Sequence, residues 1–295
     1  MDTSNKTLYF PLGITLSITE VVCTITIASL VKLISADLSV FMILFFRYLF
    51  CLPLLLLTAI YQRGKNAFVI KSKSGLIVRT ITGLGSFGCL FSALQFIDLS
   101  LMTILLQTMP LFITLLAPFI INEVVGWFRR ITAIIGFVGV ILILNPIVEG
   151  WINYGVMLGI LSPLCGALMT LSVRKLGKTD HPASTALWYN LLGTIVFLLI
   201  CILIKVEWPQ YNEILLILLI VGIVSSIQQI CLAYSLKLVA ASVLAPLKYI
   251  SVPIGIMVGV YFFNETLSST FFIGTAIVIL ASITIIRRES KKNLD

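Results

Sequence analysis

A lysine inside an apolar stretch is the first residue of the chain that indicates chemistry. Residues Ala245 to Glu265 form an apolar run long enough to cross a bilayer, and this run carries Lys248 between Pro246 and Pro253. A charged group at the centre of a membrane helix costs about 2.5 to 3.5 kcal/mol, so it normally faces a partner or a watery cavity. We therefore interpret Lys248 as a functional residue.

Two further ionisable residues lie near the middle of apolar runs, Glu20 in the first run and Arg47 in the second. In the functional interpretation, Glu20 takes a substrate cation or a coupling proton, while Lys248 and Arg47 meet a substrate carboxylate. In the structural alternative, Glu20 neutralises Lys248 or Arg47 as an ion pair, or Arg47 caps interior carbonyl groups. An acid and a base in one cavity match a zwitterionic substrate.

Aromatic and amide side chains inside the apolar runs are candidates for the walls of this cavity. Stacking surfaces with a few polar groups suit a small amphipathic ligand. Such amides also join neighbouring helices, and tyrosines also lie at the lipid headgroups, so this alternative stays open for each residue. The candidates for substrate binding, besides the three ionisable residues, are Gln95, Gln107, Trp188, Tyr189, Asn190, Gln228 and Tyr249, with Gln229 and Tyr234 as further wall residues.

The composition indicates what must position these residues. Of the 295 residues, 59% are hydrophobic and only 11% are charged, and the mean hydropathy is +1.12. Soluble domains carry about 25% charged residues, so the chain is predicted to be an all-α integral membrane protein. The six cysteines lie in apolar runs without Cys-x-x-Cys spacing, and the single histidine, His181, lies in a short polar loop. We therefore expect neither a metal nor another cofactor.

Hydrophobic runs of roughly 20 residues, each long enough to span the hydrocarbon core as a helix, recur along the chain. Polar breaks divide the sequence into ten predicted transmembrane helices, and no stretch remains for a soluble domain. The predicted spans are residues 8–33, 38–61, 76–97, 99–121, 130–148, 151–173, 183–205, 213–235, 239–263 and 270–286.

The basic residues predict the orientation, because cytoplasmic loops carry an excess of lysine and arginine. With both termini in the cytoplasm, 16 of the 20 lysine and arginine residues lie on the cytoplasmic side. The formal charge of +8 then reflects topology and attraction to anionic lipid, so we expect a lipid bilayer and no nucleic acid as partner.

An internal repeat divides the chain into residues 1–148 and 149–295. The pairs Asn122-Glu123 and Asn264-Glu265 lie 142 positions apart, and each follows a proline-interrupted span. Because each half has five spans, an odd number, the second half is predicted to enter the membrane inverted. Inverted repeats with interrupted helices are typical of secondary transporters, whose substrate site lies near the midplane. The predicted hinges are Pro110, Pro118, Pro246 and Pro253.

This arrangement resembles the drug/metabolite transporter superfamily, specifically carriers with paired EamA domains. The resemblance covers nearly the whole chain, and its motifs are Phe45-Phe46-Arg47, Arg79 with Gly83, the segment Pro110 to Glu123, and Ala245-Pro246-Leu247-Lys248-Tyr249 with Asn264-Glu265. The Ala-Pro-x-basic-Tyr element and the run Trp188-Tyr189-Asn190 are similar to the branch that contains S-adenosylmethionine carriers of intracellular bacteria. Related branches move amino acids, riboflavin or drugs.

The resemblance implies a secondary transporter in the bacterial inner membrane, not an enzyme, that moves a small polar or amphipathic metabolite by alternating access. S-adenosylmethionine or a related zwitterion is the expected substrate, and an exporter of amino acids or drugs is the alternative. We expect a monomer or a weak homodimer. Alternatives from other classes are a solute channel, a non-transporting accessory protein and an intramembrane hydrolase.

Overall fold

The computed structural model describes residues 3–120, 127–144, 153–177, 179–209, 212–238 and 245–292. Within these ranges the chain is helical and contains no β-strand. The α-helices are α1 (Thr3–Ile34), α2 (Val40–Arg63), α3 (Lys73–Ala93), α4 (Leu99–Leu106), α5 (Met109–Ile120), α6 (Trp127–Leu144), α7 (Tyr154–Leu176), α8 (Pro182–Leu203), α9 (Asn212–Leu238), α10 (Ser251–Phe263) and α11 (Ser269–Lys292). Short 3-10 helices cover Gly64–Asn66 and Ala245–Ile250. The predicted all-helical fold is confirmed for these ranges.

Within the described ranges, seven helical segments are long and apolar enough to cross a membrane. They begin at Pro11, Val40, Lys73, Leu99, Tyr154, Pro182 and Asn212. Two shorter apolar helices, Ser251–Phe263 and Ser269–Ala281, follow towards the end of the chain. The predicted spans 130–148 and 239–263 both include residues outside the described ranges, so the count of ten spans stays a prediction.

Two spans that the sequence presents as continuous apolar runs are interrupted. The run predicted at residues 99–121 divides into α4 and α5 at Gln107 and Thr108. Pro110 lies in the first turn of α5, where a missing backbone N–H removes no helical hydrogen bond. In the second half, the 3-10 helix Ala245–Ile250 precedes α10, and Pro253 lies in the first turn of α10.

Side chains cap several helix ends, because the first backbone N–H groups of a helix have no intrahelical partner. Ser72 accepts a hydrogen bond from the N–H of Gly75 at the start of α3. Asn153 does the same for Gly155 at the start of α7, and His181 Nδ1 accepts from the N–H of Ala183 at the start of α8.

Four helix pairs make the most extensive contacts, namely α3 with α7, α1 with α9, α6 with α11 and α2 with α8. Close approach depends on small residues. A Cβ at Gly155 would lie 2.5 Å from Phe96 Cβ, and one at Gly159 would lie 2.8 Å from Leu105 Cδ1. On α10, a Cβ at Gly255 would lie 2.7 Å from Thr103 Oγ1 of α4. These glycines therefore allow their helices to approach closely.

Candidate functional site

An ion pair joins the two halves of the chain in the interior of the bundle. Lys248 Nζ lies 2.9 Å from Glu20 Oε2 and 3.1 Å from Glu20 Oε1. The Glu20 side chain is 7% exposed and the Lys248 side chain 42%. Of the two ion-pair partners expected for Glu20, the structure therefore brings Lys248, and not Arg47, to its carboxylate.

The helix break after α4 supports the segment that carries Lys248. Gln107 Nε2 donates to Ser251 Oγ at 2.6 Å and lies 3.4 Å from the backbone oxygen of Lys248. Ser251 Oγ donates to the same backbone oxygen at 2.7 Å. Because a 3-10 helix leads into α10, this oxygen is available to side chains, which is the usual arrangement where a membrane helix is broken. The interruptions of the two halves therefore meet at Lys248.

A second polar contact connects the backbone near Glu20 to α9. Thr24 Oγ1 donates to the backbone oxygen of Glu20 at 2.8 Å, and Gln228 Nε2 donates to Thr24 Oγ1 at 2.8 Å. Gln228 therefore lies beside the Glu20 segment without contacting its carboxylate. In the described part of the chain, Lys248 is the one hydrogen-bond partner of the Glu20 carboxylate.

Arg47 occupies a separate, aromatic environment and is 1% exposed. Its guanidinium carbon lies 3.7 Å from the ring centroid of Phe87 and 5.0 Å from that of Tyr48. Its Nε donates to Ser225 Oγ at 3.1 Å. Among the described residues, the two terminal guanidinium nitrogens have no hydrogen-bond partner. A buried guanidinium with two unpaired nitrogens is suited to an anionic ligand group, since an unpaired buried charge is costly.

The aromatic and amide run on α8 points to three different neighbours. Tyr189 shares a 2.7 Å hydrogen bond with the hydroxyl of Tyr48. Asn190 exchanges two 3.2 Å hydrogen bonds with Gln229 of α9, so this amide pair joins two helices. Trp188 Nε1 donates to the backbone oxygen of Phe68 in the α2–α3 connection at 2.9 Å.

The remaining candidates lie apart from the ion pair or outside the described side chains. Gln95 is exposed and donates to the backbone oxygen of Ser35 at 2.9 Å. The side chains of Tyr249 and Pro246 lie outside the described residues, although their backbone belongs to the 3-10 helix. Pro118 lies inside α5. The structure thus brings Glu20, Gln107 and Lys248 together, with Gln228 beside them.

A second lysine and carboxylate pair, which the sequence interpretation did not select, lies at the far end of α1. Glu265 lies beyond α10, whose C-cap residue, Asn264, has the left-handed conformation with φ 52° and ψ 36°. Asparagine tolerates this conformation, and the resulting turn directs Glu265 towards the start of α4. Glu265 Oε1 accepts from Lys32 Nζ at 2.9 Å and from the N–H of Leu99 at 2.6 Å. Glu265 Oε2 accepts from the N–H and the hydroxyl of Ser100 at 3.0 and 2.6 Å.

We call the contacts of Glu265 with Lys32, Leu99 and Ser100 the terminal clamp. Asp98 occupies the N-cap position of α4 but makes no capping hydrogen bond, and its carboxylate lies 3.7 Å from Lys32 Nζ. Glu265 therefore caps this helix from the other half of the chain. Burial would raise the pKa of Glu265, but hydrogen bonds from Ser100, Lys32 and the N–H of Leu99 hold this pKa below its ordinary value.

A sequence signal for the terminal clamp exists. The two Asn-Glu pairs lie 142 positions apart, and the same offset relates Lys32 to Arg174 and Ser100 to Ser242. Each half therefore carries a basic residue, a serine and a glutamate in one register. Asn122, Glu123 and Ser242 and the Arg174 side chain lie outside the described residues.

A third carboxylate, Asp180 in the α7–α8 connection, binds the segment just before α3. Asp180 accepts from the N–H of Lys71 at 2.5 Å and from that of Ser72 at 3.1 Å, just before α3. Thr179 Oγ1 donates to the same carboxylate at 2.6 Å. Burial opposes the charged form, but these hydrogen bonds hold the pKa of Asp180 below its ordinary value.

A surface cavity of about 650 Å³ lies between the α1–α2 and α8–α9 connections. Three carboxylates, from Asp37, Glu207 and Glu213, and the indole of Trp208 contribute to its lining. Neither Glu20 nor Lys248 lines it, so it is separate from the ion pair.

A bundle of apolar helices with a polar site between two helix breaks defines a multi-pass membrane protein. The family model described as "EamA-like transporter family" matches residues 11–145 and 153–287. The chain belongs to this family, and the predicted resemblance to paired EamA-domain carriers is confirmed. Family membership implies a small-molecule substrate and indicates a membrane transporter rather than an enzyme.

Several curated relatives are named for the compound that they transport. The S-adenosylmethionine uptake transporter of Rickettsia prowazekii is 26% identical over 263 residues, 88% of this chain and 87% of the relative. That of Rickettsia bellii is 28% identical over 88% of both chains. A riboflavin transporter of Vibrio cholerae is 29% identical over 189 residues, 64% of this chain and 63% of the relative's own length.

A solved crystal structure has the same fold. It aligns with a TM-score of 0.65 at 14% sequence identity and covers 92% of this chain and 94% of that chain. At this identity the likeness shows the fold alone.

Proposed function

We propose that the chain is a secondary transporter that moves a small zwitterionic metabolite across the bacterial inner membrane by alternating access. The observation that carries this proposal is the Glu20–Lys248 pair, which joins α1 to the interrupted span of the other half. Intramembrane charges of this kind typically mark substrate pathways. A zwitterion offers a cationic group for Glu20 and a carboxylate for Lys248.

The ion pair couples substrate binding to the change of conformation. In the empty carrier Glu20 and Lys248 neutralise each other, and in the loaded carrier the substrate neutralises both. A carrier with one charge unpaired changes conformation only at a high cost, because closure around the half-exposed site would bury an uncompensated charge. The empty carrier and the loaded carrier therefore change conformation. A carrier whose ligand neutralises only one of the two charges does not.

S-adenosylmethionine or a related zwitterion is the proposed substrate. Two relatives named for its uptake match over 88% of this chain. The compound carries an ammonium and a carboxylate, which match Glu20 and Lys248 in charge, and a sulfonium cation besides. Arg47 is the second candidate partner of the carboxylate, since two of its nitrogens have no hydrogen-bond partner among the described residues and its guanidinium lies over the ring of Phe87.

Riboflavin is the second candidate, because a relative of that name matches 64% of the chain. Riboflavin has an aromatic ring system but no cationic group, so it would leave Glu20 without a charged partner. An exporter of amino acids or drugs is the further alternative within the superfamily. Competition by these compounds separates the candidates.

The proposed architecture is ten spans in two inverted repeats, residues 1–148 and 149–295, with both termini in the cytoplasm. The two stretches matched by the family support the division. The helix contacts support the equivalence of the halves, because a shift of 142 residues carries α1 onto α7 and α3 onto α9. The contact of α3 with α7 then corresponds to that of α9 with α1, and both are extensive. A monomer or weak homodimer stays a prediction.

Counterflow tests the proposal. Proteoliposomes preloaded with unlabelled S-adenosylmethionine receive the labelled compound outside, with an amino-acid mixture or riboflavin as competitor. We expect saturable accumulation that neither competitor reduces. We expect Glu20→Gln and Lys248→Met to abolish accumulation, while the exposed control variants Glu213→Gln and Lys175→Met retain it. Wild-type accumulation in Glu20→Gln and Lys248→Met would remove the proposed role of the ion pair, and a failure to saturate would indicate a channel.

A further inference from the structure

The three segments that hold the ion pair meet again at the terminal clamp. On α1, Lys32 lies 12 residues after Glu20, about 18 Å along the helix. On α4, Ser100 lies two turns before Gln107, and beyond α10 Glu265 follows Lys248 at the other end of the segment. The clamp therefore joins α1, α4 and the end of α10, at the ends of these segments that lie away from the ion pair.

Between the clamp and the ion pair, α4 and α10 are closed against each other by small residues in regular steps. At the clamp, Gly259 lies against Glu265 and Ser100, and any side chain there would collide with both. One turn further, Gly255 lies against Thr103. At the ion pair, Ser251 bonds to Gln107. We call these three contacts the α4–α10 seam.

Lys32 holds the clamp in place through contacts beyond Glu265. Its ammonium group also donates to the backbone oxygen of Ile97 at 3.2 Å and lies 5.2 Å from the ring centroid of Phe263. The Lys32 side chain is 16% exposed and that of Glu265 is 2% exposed. Opening the seam at this end must therefore remove Glu265 from two backbone N–H groups, a hydroxyl and a lysine together.

We propose that the terminal clamp is a gate that closes one side of the transport pathway. When this gate opens, the pathway runs between α4 and α10, along the α4–α10 seam. This inference rests on the proposed alternating access. Substrate bound at Lys248 acts on the start of α10, because the backbone oxygen of Lys248 contacts Gln107 and Ser251. The other end of α10 carries Glu265, so one rigid helix connects substrate binding to the gate. With the amino terminus inside, this gate faces the exterior.

Accessibility of the seam tests the gate without any transport measurement. Thr103→Cys places a thiol between Ser100 and Gln107, and a membrane-impermeant maleimide is applied to one side of sealed vesicles at a time. Mass spectrometry of the peptide that contains residue 103 distinguishes this thiol from the six native cysteines. The backgrounds are the otherwise unchanged chain, Glu265→Gln, Gly259→Ala and the matched control Asp98→Asn.

We expect slow labelling in the unchanged chain and in Asp98→Asn, because Asp98 neighbours Lys32 without capping α4. In Glu265→Gln we expect labelling from the exterior to rise about tenfold, the factor that one lost charge-assisted hydrogen bond produces in an equilibrium constant. Gly259→Ala disturbs the clamp without changing charge, and we expect a rise there too. Size-exclusion chromatography confirms that each variant is folded.

Equal labelling in Asp98→Asn and in whichever of Glu265→Gln and Gly259→Ala is folded would overturn the gate. Because the assay uses no substrate, it separates the two proposals. Increased labelling without counterflow in the unchanged chain would support the gate and contradict the proposed substrate. Counterflow with no change in labelling would support the transporter and contradict the gate.

Discussion

Two lysine–glutamate pairs join the halves of this protein, and their surroundings differ sharply. In the interior, Glu20 pairs with Lys248 at 2.9 Å, and in the described structure its carboxylate has no further donor. At the terminal clamp, Glu265 pairs with Lys32 at the same distance but also accepts three hydrogen bonds from the start of α4. The same two residue types are thus held by one partner in one place and by several in the other.

The difference teaches which pair a ligand can replace. A substrate that offers one cation and one carboxylate reproduces every contact of the Glu20 carboxylate, because Lys248 alone supplies them. No small ligand reproduces a lysine, a hydroxyl and two backbone N–H groups in fixed positions. The interior pair is therefore suited to exchange with substrate, and the clamp is suited to hold helices together.

The largest expected difference between the pairs is in substrate binding. Glu20→Gln removes the charge that meets the substrate cation, so addition of S-adenosylmethionine should no longer raise the melting temperature of the purified protein. Glu265→Gln leaves the interior site unchanged, so the substrate-dependent rise should persist. A persistent rise in Glu20→Gln, or its loss in Glu265→Gln alone, would reverse the roles assigned to the two pairs.

In the absence of substrate, Glu265→Gln should lower the unfolding free energy more than Glu20→Gln does. Glu265→Gln leaves Lys32 buried without its carboxylate, and breaking a buried pair costs about 3 kcal/mol of unfolding free energy. Glu20→Gln should cost about 1 kcal/mol or less, because Lys248 is half exposed and pairs of that kind contribute little. Denaturant unfolding of both variants in one detergent measures the difference, and equal losses would contradict the comparison.

Arg47 extends the comparison, because it is a buried charge that has no carboxylate partner in the described structure. Arg47→Met removes a guanidinium that has one hydrogen bond among the described residues, so we expect little loss of unfolding free energy. We expect the affinity for S-adenosylmethionine to fall about tenfold or more, as for a lost hydrogen bond to a charged group. Unchanged affinity would leave Arg47 as a structural residue. Arg63→Met, near the end of α2, is the control.

The smallest effect should come from Asp180, whose role is local. Asp180→Asn weakens the hydrogen bonds to the N–H groups of Lys71 and Ser72 before α3, and loss of such a bond costs about 1 kcal/mol. The pKa of Asp180 and that of Glu265 lie below their ordinary values. Both carboxylates therefore stabilise the fold at pH values above their ordinary pKa. Their contribution is lost progressively as the pH falls below about 5. Unfolding free energies measured against pH should therefore stay level down to that pH.

Much of the interior site could be predicted from sequence, because charge in an apolar run is costly and conspicuous. Lys248 and Glu20 stand out for this reason, and the structure pairs them. The directions of Gln95 and Trp188 could not be predicted in this way. A membrane helix is apolar on all faces, so the pattern does not reveal which neighbour a polar side chain meets. Both side chains bond to connecting segments instead.

The clamp was missed for a different physical reason. Lys32 and Glu265 lie near the ends of apolar runs, where charges are ordinarily solvated and carry no sign of a partner. Their positions in sequence are 233 residues apart, so no local spacing connects them. Only the 142-residue register of both halves links a basic residue, a serine and a glutamate, and this register requires that the repeat be traced residue by residue.

A charge exchange between Glu20 and Lys248 tests the central claim most directly. The double variant Glu20→Lys with Lys248→Glu restores an ion pair but reverses the two charges that the substrate must meet. We predict that it recovers the unfolding free energy of the unchanged chain and shows no counterflow of labelled S-adenosylmethionine. Recovery of counterflow together with stability would contradict the account, because the pair would then serve structure alone.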